Sequence, residues 1–194
     1  MKFTKNIILF IILITVASSL FAQKKLNCLI KTALGNITIE LYPSKAPVTV
    51  ANFLKYVDAH LYDTSSFFRA VTLNNQPNNA VKIEVIQGGN VDSLKEFPPI
   101  KMETTEQTGL LHKDGIISMA RSAPASATSS FFICINDQPA LDYGGKRNPD
   151  GQGFAAFGKV IKGMEVVKKI QWLYPDQGQY FKPPVTIISI TRIQ

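Results

Sequence analysis

Apolar and polar residues alternate in GNITIELYP: Ile37, Ile39 and Leu41 fall between Asn36, Thr38 and Glu40. That is the period of a strand with one buried face. Pro43 closes the run, and the preceding NCLIKTAL supplies a partner strand across a turn. The period then changes. In APVTVANFLKYVDAHLYD, Val50, Phe53, Leu54 and Val57 are spaced i, i+3, i+4 and i+7. This predicts a helix over 47–60 with one apolar stripe facing a core. Pro47 suits its first turn, and Lys55 and Asp58 lie off the stripe. Strand patterns recur at 66–71, 81–87, 115–119, 130–136, 154–160 and 185–191. Between the last two, GMEVVKKIQWL predicts a second helix over 163–172, with Val166, Val167 and Ile170 turned inward. No repeat or linker interrupts the pattern. About eight short strands with a helix near each end predict an all-β barrel or sandwich plugged by helices. Periodicity alone does not choose between the two.

The first residues follow another pattern. MKFTKNIILFIILITVASSLFAQ carries Lys2 and Lys5, then an apolar run from Ile7 to Val16, then small residues. This predicts a secretory signal over 1–22, cleaved after Ala22, and a mature domain over 23–194. The unbroken run is short for a membrane span. No cysteine stands at the expected junction, so a lipid anchor is not expected. The mature chain is expected in the periplasm or outside the cell, with no membrane attachment after cleavage.

Removing Lys2 and Lys5 takes the formal charge from +7 to +5. The basic residues are scattered, which argues for solubility and against a nucleic-acid footprint. Cys28 and Cys134 both lie in apolar, strand-like runs. Export permits a disulfide, but buried free thiols are the simpler reading. His60 and His112 are the only histidines, and no Cys/His cluster has metal-ligand spacing, so no metal and no cofactor is expected. GGKRNPDGQG lacks the pattern of a phosphate-binding loop.

Four stretches carry candidate chemistry: FFRA at 67–70, IQGGN at 86–90, GIISMARSAPASATSSFFICIN at 115–136 and GFAAFGKVIKGMEVV at 153–167. In this order they resemble the cyclophilin family of peptidyl-prolyl cis–trans isomerases, across nearly the whole mature chain. The resemblance implies a closed antiparallel barrel of about eight strands with a helix over each open end. It also implies a reaction. Rotation about an X–Pro bond faces a barrier of ~20 kcal/mol, because the amide is conjugated. No nucleophile, metal or cofactor is required, only tighter binding of the twisted state than of either planar one.

On this resemblance Arg69 matches the catalytic arginine, aimed at the prolyl nitrogen, and Gln87 matches the glutamine that holds it. Phe132 matches the floor of the proline pocket, while its neighbour Phe131 points into the barrel. Val85, Leu141 and Phe154 match apolar walls. Ala120 and Arg121 match the edge whose main chain meets the substrate, the Arg121 N–H reaching the carbonyl before proline. Ser130 stands where a glutamine is common and is expected among the substrate-binding residues. The implied partners are proline-containing polypeptides, with a monomer as the default.

The chain also departs from the family pattern. Between Arg69 and Gln87 it carries extra residues, TLNNQPNNAVK, with the composition of a loop. Aligning on Gln87-Gly88-Gly89 places Glu84 and Val85 where a Phe and a Met are usual. A glutamate there needs a partner, and Arg69, Lys82 and Arg121 are the candidates. Ala140 replaces a common Trp, leaving one pocket edge bare. YGGKRNPDGQG at 143–153 adds a Gly-rich turn nearby, in which Lys146 and Arg147 either add positive charge to the pocket rim or, as the default reading, lie in a solvated loop.

Overall fold

The computed structural model describes residues 26–173 and 178–193. The expected signal segment and its cleavage point lie outside these residues. These residues form eight strands: β1 (Leu26–Thr32), β2 (Gly35–Leu41), β3 (Ser66–Val71), β4 (Val85–Gly88), β5 (Ile116–Met119), β6 (Phe131–Cys134), β7 (Ala155–Lys162) and β8 (Tyr180–Ile193). Among the described residues three α-helices accompany them, α1 (Pro47–Asp58), α2 (Thr105–Thr108) and α3 (Met164–Gln171).

The strands close into a barrel in the order β1-β2-β7-β5-β6-β4-β3-β8, and β8 returns to β1. Every neighbouring pair is antiparallel. Closure selects the barrel over the sandwich and leaves no unpaired sheet edge. Alternation decides what faces inward. In the β1–β2 hairpin Cys28 opposes Ile39 and Ile30 opposes Ile37, and all four side chains are buried.

The stripe predicted for α1 is the face it buries: Val50, Phe53, Leu54 and Val57 lie inside, and Lys55 and Asp58 outside. Phe53 packs at 5.2 Å from the rings of Tyr62 and Phe157, and edge-on to Phe131 at 5.7 Å. Helix α3 buries Val166, Val167 and Ile170. The two longer helices therefore cover the barrel core as expected. The short α2 was not anticipated. Thr104 and Gln107 form a capping box that lets a single turn stand alone, and Gly109, at φ 68°, ends it.

Two strands differ from expectation in ways that matter for the site. Strand β4 starts at Val85, not at 81, because the chain before it is tied down as a loop. Gln76, 1 % exposed, donates from Nε2 to the carbonyls of Thr72 (2.6 Å) and Ile83 (2.8 Å). Strand β8 starts at Tyr180, not at 185, and pairs Tyr180 with Arg69 after a register shift. That shift brings the segment around Gln179 alongside β3.

Candidate active site

Strand alternation divides the apolar residues into two clusters. Phe131, fully buried, belongs to the barrel core, where it meets Phe53, Tyr62 and Phe67 edge-on. Phe132 points the other way and packs with Val71, Ile83, Val85, Cys134 and Leu141 on the outer face. Here the barrel carries a cleft of about 200 Å³. Arg69, Val85, Gln87, Ala120, Arg121, Phe132, Leu141 and Phe154 all line it. Eight residues picked from five separate stretches of sequence thus converge.

Arg69 is half-buried and fixed from two sides. Its Nη1 donates to Gln87 Oε1 at 3.0 Å, while Nε (2.9 Å) and Nη2 both donate to Gln179 Oε1. Gln179 is held in turn, its Nε2 donating to the Asn75 carbonyl at 3.0 Å. The Arg69 guanidinium also lies 5.9 Å from the centre of the Tyr180 ring. Burial lowers the Arg69 pKa from its ordinary value, and Tyr180 acts in the opposite sense. A guanidinium remains charged at neutral pH despite such a shift, and it has N–H groups left over after these three bonds.

The floor is aromatic. Phe132 and Phe154 meet edge to face at 5.2 Å. Behind Phe132, His112 stacks at 5.9 Å with an interplanar angle of 18°. Its Nδ1 faces Asp142 Oδ1 at 2.7 Å and its Nε2 faces Ser118 Oγ at 3.0 Å. The trio resembles a hydrolase triad in order only, because Ser118 is 0 % exposed and has no path to a substrate. It is a support for the floor. Ser118 lies six residues after His112 and Asp142 thirty after it, a spacing that matches no triad motif, so the sequence pattern does not single them out.

The remaining wall is the edge after β5. The Ala120 N–H donates to the Ser130 carbonyl at 2.8 Å. The Arg121 side chain is 2 % exposed although the residue as a whole is half-buried, so its exposed part is main chain. The guanidinium forms a fork with Asp150 at 2.7 and 2.8 Å and donates from Nε to the Gly153 carbonyl at 2.8 Å. It also lies over Phe154 at 5.2 Å. The hydrogen bond from Arg121 pulls the Asp150 carboxyl down to about 2. Gly153 is required here: φ is +65°, and a Cβ would sit 2.5 Å from the Leu141 carbonyl oxygen.

Three expectations about this region are corrected. Glu84 is not in the pocket wall. Side chains alternate along the chain into β4, so Ile83, Val85 and Gln87 face the cleft, while Glu84 accepts from Asn136 Nδ2 at 2.9 Å. None of the pairings suggested for Glu84 forms among the described residues. Ser130 does not line the cleft either: it precedes the first residue of β6, and its carbonyl is its link to the site. Arg147 is not solvated. It lines the cleft with Asn148, and its Nη1 donates to Gln76 Oε1 (2.9 Å) and the Val81 carbonyl (2.7 Å). Its main-chain N–H donates to the Ala140 carbonyl, so the bare edge at Ala140 is where this turn closes over.

Fold and site define a class: a closed barrel whose outer face holds a cleft with an aromatic and aliphatic floor and arginines in its wall. The comparisons with known proteins agree. Residues 28–192 match the family described as Cyclophilin type peptidyl-prolyl cis-trans isomerase/CLD. A peptidyl-prolyl cis-trans isomerase of Acinetobacter baylyi is 41% identical over 169 residues, covering 82% of this chain and 81% of the relative. Peptidyl-prolyl cis-trans isomerase A of Dickeya dadantii is 38% identical, covering 87% of this chain and 84% of the relative. The barrel superposes on a crystal structure of a Cryptosporidium parvum cyclophilin type isomerase with a TM-score of 0.67 at 24% identity, covering 87% of this chain and 99% of that one. That crystal was studied in the presence of the dipeptide Ala-Pro. The chain belongs to the cyclophilin-type peptidyl-prolyl cis–trans isomerase family, and is an isomerase by that membership.

Proposed function

We propose that this cleft is where the chain twists X–Pro bonds, and that its clients are exported polypeptides. When the imide rotates out of plane its nitrogen loses conjugation and becomes a hydrogen-bond acceptor. A donor aimed at that atom binds the twisted state and not the planar ones, which is the condition for lowering the barrier. Arg69 has the chemistry for this: permanent charge, a planar fork and N–H groups not consumed by Gln87 and Gln179. Gln87 positions the guanidinium. Val85, Phe132, Leu141 and Phe154 hold the proline ring, Ala120 forms the neighbouring edge, and the Arg121 N–H takes the carbonyl before proline.

The single observation that carries the assignment is the guanidinium of Arg69 held at the mouth of the same cleft that Phe132 floors. The export half rests on Lys2, Lys5 and the apolar run that follows them in the sequence. A module that binds proline peptides without turning them over is the alternative. Apolar Ile83 at the wall, in place of the expected Glu84, favours turnover instead.

Exchange NMR on a proline peptide tests the activity. Cis–trans exchange, tens of seconds uncatalysed, is expected to quicken with catalytic amounts of protein. Unchanged exchange in the presence of bound peptide would establish the binding module. Mass analysis of protein from the periplasmic fraction tests export, with a mature chain starting at Gln23 expected.

A further inference from the structure

Three arginines line the cleft, and they are not equivalent. Arg121 is neutralised by its fork with Asp150. Arg69 and Arg147 have no carboxylate partner among the described residues, and no Asp or Glu lines the cleft. Both are half-buried, and burial lowers the pKa of each. The charge of Arg69 lowers that of Arg147 further, so the two cations feel one another. The Arg147 guanidinium is anchored through Nη1, which donates to Gln76 Oε1 and the Val81 carbonyl and leaves Nε and Nη2 without a partner among the described residues. A second, fixed and incompletely satisfied guanidinium thus faces the peptide groove.

The topology says which part of a peptide it meets. Strand β6, which carries Phe132, lies between β5 and β4. Ala120 and Arg121 follow β5, whereas Gln76 and Val81, which hold Arg147, belong to the loop that leads into β4. Arg147 and the Arg121 edge therefore flank the proline floor from opposite sides. If the Arg121 N–H takes the carbonyl before proline, the residues after proline run toward Arg147.

We infer that Arg147 is a specificity-determining residue that selects peptides bearing an acidic side chain just after the proline. This rests on the isomerase reading of the cleft and its peptide direction. A carboxylate there meets planar N–H donors in a partly desolvated groove, where such hydrogen bonds are short and strong. It also relieves the repulsion between Arg69 and Arg147. A lysine at the same peptide position adds a third positive charge to the groove.

The test uses blocked peptides Ala-Ala-Pro-X-Ala with X as Glu, Gln or Lys, comparing the full-length mature protein with its R147Q and R147K variants. The readout is the Glu-to-Lys ratio within each protein, so a general loss of activity or loosening of the Gln76 loop cancels. For the wild type the ratio in kcat/KM is expected near tenfold at low ionic strength, a size that single charge contacts reach, and smaller at high salt. It is expected to approach one in R147Q and to persist in R147K. A ratio near one in the wild type, or one undiminished in R147Q, overturns the inference. Peptide binding measured by NMR titration reads the same ratio as dissociation constants. Absence of turnover with a preserved Glu preference in binding would remove the isomerase reading and leave this one standing.

Discussion

Gln179 holds the guanidinium of Arg69 from a position 110 residues further along the chain, its Oε1 accepting from both Nε and Nη2. The link depends on the early start of β8, which pairs Tyr180 with Arg69. Gln179 touches no part of the reacting bond in this arrangement and acts through the arginine. Removing it leaves Arg69 with Gln87 as its side-chain partner.

Gln179→Ala is therefore expected to lower kcat about tenfold, the scale of one hydrogen bond to a charged group, while KM changes little. Gln87→Ala is expected to behave alike, and the double variant to lose less than the product of the two, since both act on one group. Saturation kinetics by exchange NMR measure this. A normal kcat in Gln179→Ala, or a loss confined to KM, would contradict the positioning role.

Phe131 and Phe132 are adjacent and are predicted to fail in opposite ways. Phe131 is 0 % exposed among the barrel rings, so Phe131→Ala is expected to destabilise the fold by about 3–5 kcal/mol. Phe132 floors the cleft, so Phe132→Ala is expected chiefly to raise KM, with a smaller loss of stability. Urea unfolding and isomerase kinetics on the same two variants separate the effects.

The Arg121–Asp150 fork gives a pH prediction. The folded carboxyl titrates near 2, below its ordinary 3.8, so it binds its proton less readily in the native state than in the unfolded one. Its contribution is then present above the ordinary value and lost as pH falls through about 2. Asp150→Asn is expected to melt below the wild type at pH 7, and the two curves to converge near pH 2. A difference that persists at pH 2 would show that the asparagine acts by another route.

Both cysteines are free and buried, and burial pushes Cys28 up to about 12 and Cys134 well above its ordinary value. The thiolate is the reactive form, and at pH 8 only about one Cys28 in ten thousand carries it. Ellman's reagent is expected to leave the native protein unlabelled and to titrate both thiols in denaturant. Rapid labelling of the native fold would contradict this burial.

Much of this is legible in the sequence. Period-two and period-3.6 spacing located the barrel strands and both longer helices, because those spacings are the local record of which faces are buried. The cleft residues from Arg69 to Phe154 were legible through motif order. What escaped was long-range or non-periodic. Alignment on Gln87 assigns Glu84 to the wall, but the pleat turns every second side chain away, so Ile83 and Val85 face the cleft and Glu84 does not. Gln179 and Arg147 lie in irregular segments, where no spacing predicts a partner such as Gln76. A cation in a Gly-rich turn reads as solvated until a buried acceptor is found opposite it.

The central claim is that the guanidinium of Arg69 stabilises the twisted imide. Its most direct test is the catalysed exchange rate of Arg69→Ala beside the wild type, at saturating peptide and with the fold verified by near-ultraviolet dichroism. Loss of one such donor is expected to lower kcat by about two orders of magnitude, with peptide still bound. An intact barrel that isomerises at the wild-type rate without this side chain would contradict the account.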